Sequence, residues 1–98
     1  MAYMYILKCS DNSFYVGSTN NLEQRIKKHQ SGWGARYTNV HKPVELIYSE
    51  EFPTYQEAFK RERQIKGWSR AKKEALIAGD IELLKELSKS RRQQRILL

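Results

Sequence analysis

Met4–Cys9 and Phe14–Ser18 are short runs rich in Tyr, Ile, Val and Phe, whose branched or aromatic side chains fit a pleated surface. Between them Ser10-Asp11-Asn12-Ser13 offers side chains that hydrogen-bond their own backbone in turns, so the pair reads as a β-hairpin. Leu22, Ile26 and His29 then recur at helical spacing behind Asn20 or Asn21, either of which can cap a helix ending near Ser31-Gly32. Ser31 to Lys42 carries Gly32, Gly34 and several polar residues and reads as a loop, and Pro43 leads into a third strand over Val44–Glu50. Thr54 and Glu57 form a capping box for a helix that runs to about Lys66 and ends at Gly67. Ser69 opens another helix that stops near Gly79. Ile81, Leu84 and Leu87 give a last helix an apolar face from Asp80, and it is expected to fray in the charged stretch Ser90–Arg95. The resulting expectation is an α+β fold in the order β-β-α-β-α-α-α, a three-stranded antiparallel sheet flanked by helices. No repeat or linker interrupts it, so residues 1–89 are read as a single domain and 90–98 as a basic tail.

Charge narrows the partner. With 18 Lys and Arg against 11 Asp and Glu, the net charge of +7 and the pI near 9.7 favour a polyanion, which leaves DNA, RNA or an anionic membrane. No apolar run approaches the roughly 18 residues a membrane span needs, and the opening Met-Ala-Tyr-Met-Tyr-Ile lacks the basic segment and cleavage site of a signal peptide. A soluble cytoplasmic protein without a membrane partner is expected. The single Cys9 excludes an internal disulfide and, with only His29 and His41 beside it, gives no zinc-ligand spacing, so it reads as a small apolar strand residue.

Three features carry candidate chemistry. On the helix from Tyr55 to Lys66 the apolar residues Ala58, Phe59 and Ile65 suggest an inward stripe, and Glu62 falls within it. A carboxylate taken out of water needs a cation, a proton or a metal. The pattern leaves open an ion pair with Arg or Lys at the core edge, or a metal-binding or catalytic role. Arg25 and His29 share one edge of the first helix, where a rigid five-donor guanidinium suits a phosphate and an imidazole can move a proton near neutral pH. They equally fit an Arg paired with a carboxylate, Glu62 among the choices, beside a partly buried His. Tyr3, Tyr5 and Tyr15 in the hairpin fit ordinary sheet packing when taken alone.

Together these residues resemble the GIY-YIG nuclease superfamily. The resemblance rests on Tyr3-Met4-Tyr5, Tyr15-Val16-Gly17 after nine intervening residues, Arg25 and His29 on one helix, and Glu62 on a later one, within residues 3 to 78. Ser31 to Thr38 and Ile65-Lys66-Gly67-Trp68 are similar to the small single-domain branch of that superfamily. The resemblance implies a metal-dependent endonuclease that acts on nucleic acid, with DNA favoured over RNA and the choice between them left open; no obligate protein partner is inferred. By the same resemblance Tyr15, or a metal-linked water it contacts, activates the attacking water, Tyr5 orders the site, and Arg25 holds the scissile phosphate. His29 supports nucleophile or phosphate, and Glu62 anchors one Mg²⁺ or Mn²⁺. Arg25 and the cation would favour the Tyr15 phenolate, and Gly17 would let the backbone come close to the site. The other reading is a catalytically weak or inactive DNA- or RNA-binding module on the same fold.

Lys27, Lys28, Arg36, Lys42, Lys60, Arg61, Arg63, Lys66, Arg70, Lys72 and Lys73 supply cations beyond those the reaction needs, and Gly17, Lys28, Arg36 and Lys66 are the expected nucleic-acid contacts. Trp33 and Tyr37 could stack on a base or pack on the sheet. The resemblance also sets a register. For Tyr5 and Tyr15 to share a face, paired hairpin residue numbers must sum to an even value. A symmetric two- or four-residue loop centred between Asp11 and Asn12 gives the odd sum 23, so an odd-length loop or a bulge is expected.

Overall fold

The computed structural model describes residues 1–31 and 41–97, with side chains to residue 89. Two strands form the hairpin: β1 (Ala2–Lys8) and β2 (Phe14–Thr19) pair antiparallel, with Tyr5 opposite Gly17 and Leu7 opposite Tyr15. These pairs sum to the even value 22, and the five residues Cys9–Ser13 between the strands make the odd-length loop the register required. Asn12 takes a left-handed φ of 69° there, a conformation Asn tolerates well, and its amide donates to the Cys9 carbonyl. β3 (Glu45–Phe52) pairs antiparallel with the other side of β1, so the sheet order is β2-β1-β3 and β2 is an edge strand.

Local capping explains where the helices begin. Asn21 Oδ1 accepts from the Gln24 amide at 3.0 Å and starts α1 (Leu22–Ser31). Thr54 Oγ1 accepts from the Glu57 amide at 3.3 Å and starts α2 (Tyr55–Lys66). Ser69 caps α3 (Arg70–Ala78), and Gly79 ends it in the left-handed region, its amide bonding back to Leu76. Asp80 Oδ1 accepts from Leu83 and opens α4 (Ile81–Leu97), which stays helical through the stretch expected to fray. No helix among the described residues is long and apolar enough to cross a membrane.

The chain groups into two compact units, Met1–Lys66 and Gly67–Leu98, a division inside the span read from sequence as one domain. In the first unit the two faces of the sheet carry different helices. Tyr5 and Leu7 form a buried cluster with Cys9 and Val44, against which Tyr15 and α1's Leu22 and Ile26 pack. The Gln30 amide group brackets Val44, donating to its carbonyl at 2.6 Å and accepting from its amide at 3.4 Å. Met4, Ile6, Val16 and Ser18 alternate onto the opposite face, where Ser18 meets α2.

Phe59 departs from its expected place. α2 buries Ala58, Glu62 and Ile65, spaced four and three residues apart, while Phe59 remains 40% exposed. One residue past Ala58 turns the side chain through about 100° and off the inward line. In the second unit α3 and α4 pack together, with Lys72 Nζ 4.5 Å from the Trp68 ring centroid.

Candidate active site

Tyr5, Tyr15 and His29 converge on the α1 face of the hairpin. The register places Tyr5 and Tyr15 two rows apart on adjacent strands, and their ring centroids lie 6.5 Å apart. Two turns of α1 beyond its Asn21 cap bring His29 in from above, with centroids 5.8 Å from Tyr5 and 5.1 Å from Tyr15, both near edge-on. Tyr5 Oη and His29 Nε2 are 2.9 Å apart, and both side chains are fully buried.

Electrostatics sets the proton positions. Burial, then Tyr15 and Glu62, pushes the Tyr5 phenol up, while the Arg25 charge and a hydrogen bond from its guanidinium pull the other way. Burial first, then Arg25, holds the His29 imidazole below its usual value. At neutral pH the phenol therefore keeps its proton and the imidazole lacks a second one. With the ring proton on Nδ1, Tyr5 O–H donates to Nε2 while its oxygen accepts from Arg25. Arg25, half-buried one turn before His29, belongs to this cluster as expected.

Gly17 lies directly against Tyr5. It is buried, and a Cβ added there would lie 2.5 Å from Tyr5 Oη. The missing side chain makes room for the Tyr5 phenol above edge strand β2.

Glu62 approaches the same edge from the other face. The Ser18 hydroxyl donates to Glu62 Oε1 at 2.7 Å, and Lys66 Nζ lies 2.9 Å from Oε2. Its cationic partner is thus Lys66, one turn along α2, and the alternative pairing with Arg25 is not adopted. Because β2 is one strand thick and ends the sheet, Glu62 still acts electrostatically on Tyr5 and Tyr15. Burial raises the Tyr15 phenol, Lys66 and Arg25 lower it, and Glu62 raises it. Arg25 thus favours the Tyr15 phenolate, but burial outweighs it and the net shift is upward.

Sequence reading missed Ser18, although it directly follows Tyr15-Val16-Gly17 and strand alternation turns it toward the α2 face. Lys28 is exposed on α1, whereas Lys66 faces Glu62 with its side chain 52% exposed. Arg61 is drawn off the expected cationic surface by a two-pronged pair with Glu50, Nε to Oε1 at 2.8 Å and Nη2 to Oε2 at 3.1 Å. Lys72 is likewise buried. Arg36, Trp33 and Tyr37 lie outside the described residues.

No group of three or more His, Cys, Asp or Glu gathers into a metal cage among the described residues. One inward carboxylate is nonetheless a donor that a largely hydrated octahedral cation such as Mg²⁺ or Mn²⁺ accepts, whereas a closed zinc site needs more ligands. Glu62 fits that limited role when Lys66, half in solvent, turns aside.

Comparison with known proteins shows which family the chain belongs to. The chain is 51% identical over 76 residues to a UPF0213 protein of Staphylococcus saprophyticus, covering 78% of this chain and 93% of the relative. It is 46% identical over 78 residues to one of Natronomonas pharaonis, covering 80% and 92%. A solution NMR structure of the UPF0213 protein BH0048 from Bacillus halodurans is similar at TM-score 0.52 and 46% identity, covering 80% of this chain and 84% of that one. The protein EF2693 from E. faecalis, also solved by NMR, matches at TM-score 0.54 and 43% identity over 79% and 82% of the two chains. The family model of the GIY-YIG catalytic domain spans residues 1–75, which take in all five residues Tyr5, Tyr15, Arg25, His29 and Glu62, and the chain belongs to that family.

Proposed function

We propose that this protein is a divalent-metal-dependent endonuclease that hydrolyses phosphodiester bonds in nucleic acid, DNA in preference to RNA. The observation that carries the reading is the meeting of Tyr5, Tyr15, His29 and Arg25 on one face of edge strand β2 with Glu62 acting from the other. Such a concentration of ionisable groups at a sheet edge is costly for a purely structural purpose.

In this mechanism Arg25 offers guanidinium donors to the scissile phosphate while its hydrogen bond to Tyr5 keeps it aimed. Tyr15 takes the proton of the attacking water in its ionised form, which burial keeps scarce at neutral pH and which Lys66 and Arg25 promote. His29, held neutral, fixes the Tyr5 phenol by accepting a hydrogen bond from it at Nε2. Glu62 would hold Mg²⁺ or Mn²⁺, which when bound supplies charge neutralisation at the phosphate and a more acidic water.

Supercoiled plasmid and branched DNA, incubated with Mg²⁺, Mn²⁺ or a chelator, provide the test. The parent protein should nick only with metal, and Tyr15→Phe and Glu62→Gln should each lose about 100-fold or more in rate. Absence of metal-dependent nicking by the parent on both DNAs would sink the proposal. One observation favours a second reading, a nucleic-acid-binding module on this fold: Lys66 already neutralises Glu62. A protein that binds DNA tightly but never nicks it would be that module.

A further inference from the structure

α2 carries an exposed aromatic row that folding does not require. Tyr55 and Phe59, one turn apart, are each 40% exposed, with ring centroids 6.1 Å apart and planes only 14° from parallel. Arg63, one turn further, places its guanidinium carbon 5.8 Å from the Phe59 centroid. The helix already has its core line in Ala58, Glu62 and Ile65, so these rings face water at a cost that a packed fold would avoid. The row also has a definite flank. Arg61 on the other flank reaches Glu50 of β3, whereas Tyr55 Oη lies 3.5 Å from Ser18 Oγ on β2, and that hydroxyl bonds Glu62. Lys66 falls in line with the row at helical spacing, and α2's exposed acid Glu57 points to the far side.

From this geometry we infer that Tyr55, Phe59 and Arg63 form a stacking site for an unpaired nucleobase at the rim of the candidate active site, so that its substrate carries a single-stranded segment. The inference rests on the nuclease reading and names its substrate class. Aromatic faces and a guanidinium plane attract a base only when its π-face is free, which a fully paired duplex does not offer. Arg63 and Lys66 take the flanking phosphates, so the row is complementary in both stacking and charge to one strand leading toward Ser18 and Glu62.

The test measures affinity for three end-labelled DNAs: a single strand, the same strand fully paired, and a single strand whose bases are removed as abasic sites. Parent protein should hold the base-bearing single strand most tightly. Phe59→Ala should weaken that binding by about tenfold while shifting the duplex and abasic affinities by less than about twofold, and Phe59→Trp should restore it. Because Phe59 is exposed, its loss leaves the core packed, and an unchanged thermal melt checks this. Equal losses on all three DNAs, or none on any, would overturn the stacking site. If the parent nicks DNA with metal yet Phe59→Ala shows no selective loss, this inference alone fails. If the parent binds no nucleic acid, it falls together with the nuclease reading, and a protein partner becomes the occupant of the row.

Discussion

The Tyr5 phenol fills the space that a side chain at position 17 would need, since a Cβ there would lie 2.5 Å from Tyr5 Oη and 2.6 Å from Cζ. The ring cannot retreat without leaving His29 Nε2, so Gly17→Ala should cost about 1–3 kcal/mol by overpacking and displace the phenol as well. Denaturant unfolding measures the first effect. Removing the obstruction checks the cause: in a Tyr5→Ala background the added cost of Gly17→Ala should fall close to zero, a non-additivity expected of touching residues. Equal costs in both backgrounds would show that the methyl does harm elsewhere.

Ser18 and Lys66 support Glu62 unequally, and stability should register the difference. Ser18→Ala removes a donor from a carboxylate that is only 8% exposed, for an expected loss of about 1–3 kcal/mol. Glu62→Gln keeps an oxygen for Ser18 and releases Lys66, which returns its half-exposed ammonium to water, so the change should stay within about 1 kcal/mol. Had the partner been a buried Arg25, neutralising Glu62 would have stranded a cation at a cost of about 3 kcal/mol or more. Thermal melts of the two variants should therefore rank Ser18→Ala as the more destabilised, although Glu62→Gln is the one expected to abolish metal-dependent nicking.

How much of this was legible in sequence depends on the range of the interaction. Asn21, Thr54, Ser69 and Gly79 cap helices through bonds three or four residues away, so their residue types alone announce the ends. The hairpin register followed from requiring Tyr5 and Tyr15 on one face. Phe59 was misplaced because a residue three before Glu62, which is itself three before Ile65, fits a wide stripe. Which line turns inward is decided by tertiary packing against the sheet. Ser18 reaches Glu62 across 44 positions of chain, a distance no local pattern spans. Burial of Tyr15, which decides the direction of its pKa, likewise arises only when α1 closes over the hairpin.

His29 makes a pH prediction with a definite sign. Burial and Arg25 lower its pKa in the folded state, and the groups facing it among the described residues include Tyr5, Tyr15 and Arg25. Below the ordinary imidazole value near 6.5 the unfolded chain takes up a proton that the native protein still refuses. Its stabilising contribution is thus complete above that value and is lost as pH falls through the lower folded-state value. His29→Gln removes this linkage. The drop in melting temperature between pH 7.5 and pH 5 should be smaller in the variant than in the parent, and an identical drop would mean that His29 enters the fold with an unshifted pKa.

Lys66 and a divalent cation compete for the same carboxylate, which makes Lys66→Met the sharpest probe of the metal. Its ammonium lies 2.9 Å from Glu62 Oε2, so an incoming Mg²⁺ or Mn²⁺ has to displace a charge already in place. Methionine keeps much of the side-chain length and removes that competitor, leaving Glu62 with the Ser18 hydrogen bond and an uncompensated charge. Without metal the variant should be slightly less stable than the parent. On titration it should gain more, because a ligand that binds only the folded state stabilises by about 1.4 kcal/mol at ten times its Kd, or several degrees in a domain of this size. The double variant Lys66→Met with Glu62→Gln should lose that gain. A thermal melt reads all of this without substrate, so a protein that merely binds nucleic acid is separated from one with a metal site. Melting curves of Lys66→Met that ignore Mg²⁺ and Mn²⁺ up to millimolar concentrations would leave Glu62 as a structural carboxylate and remove the metal from the mechanism.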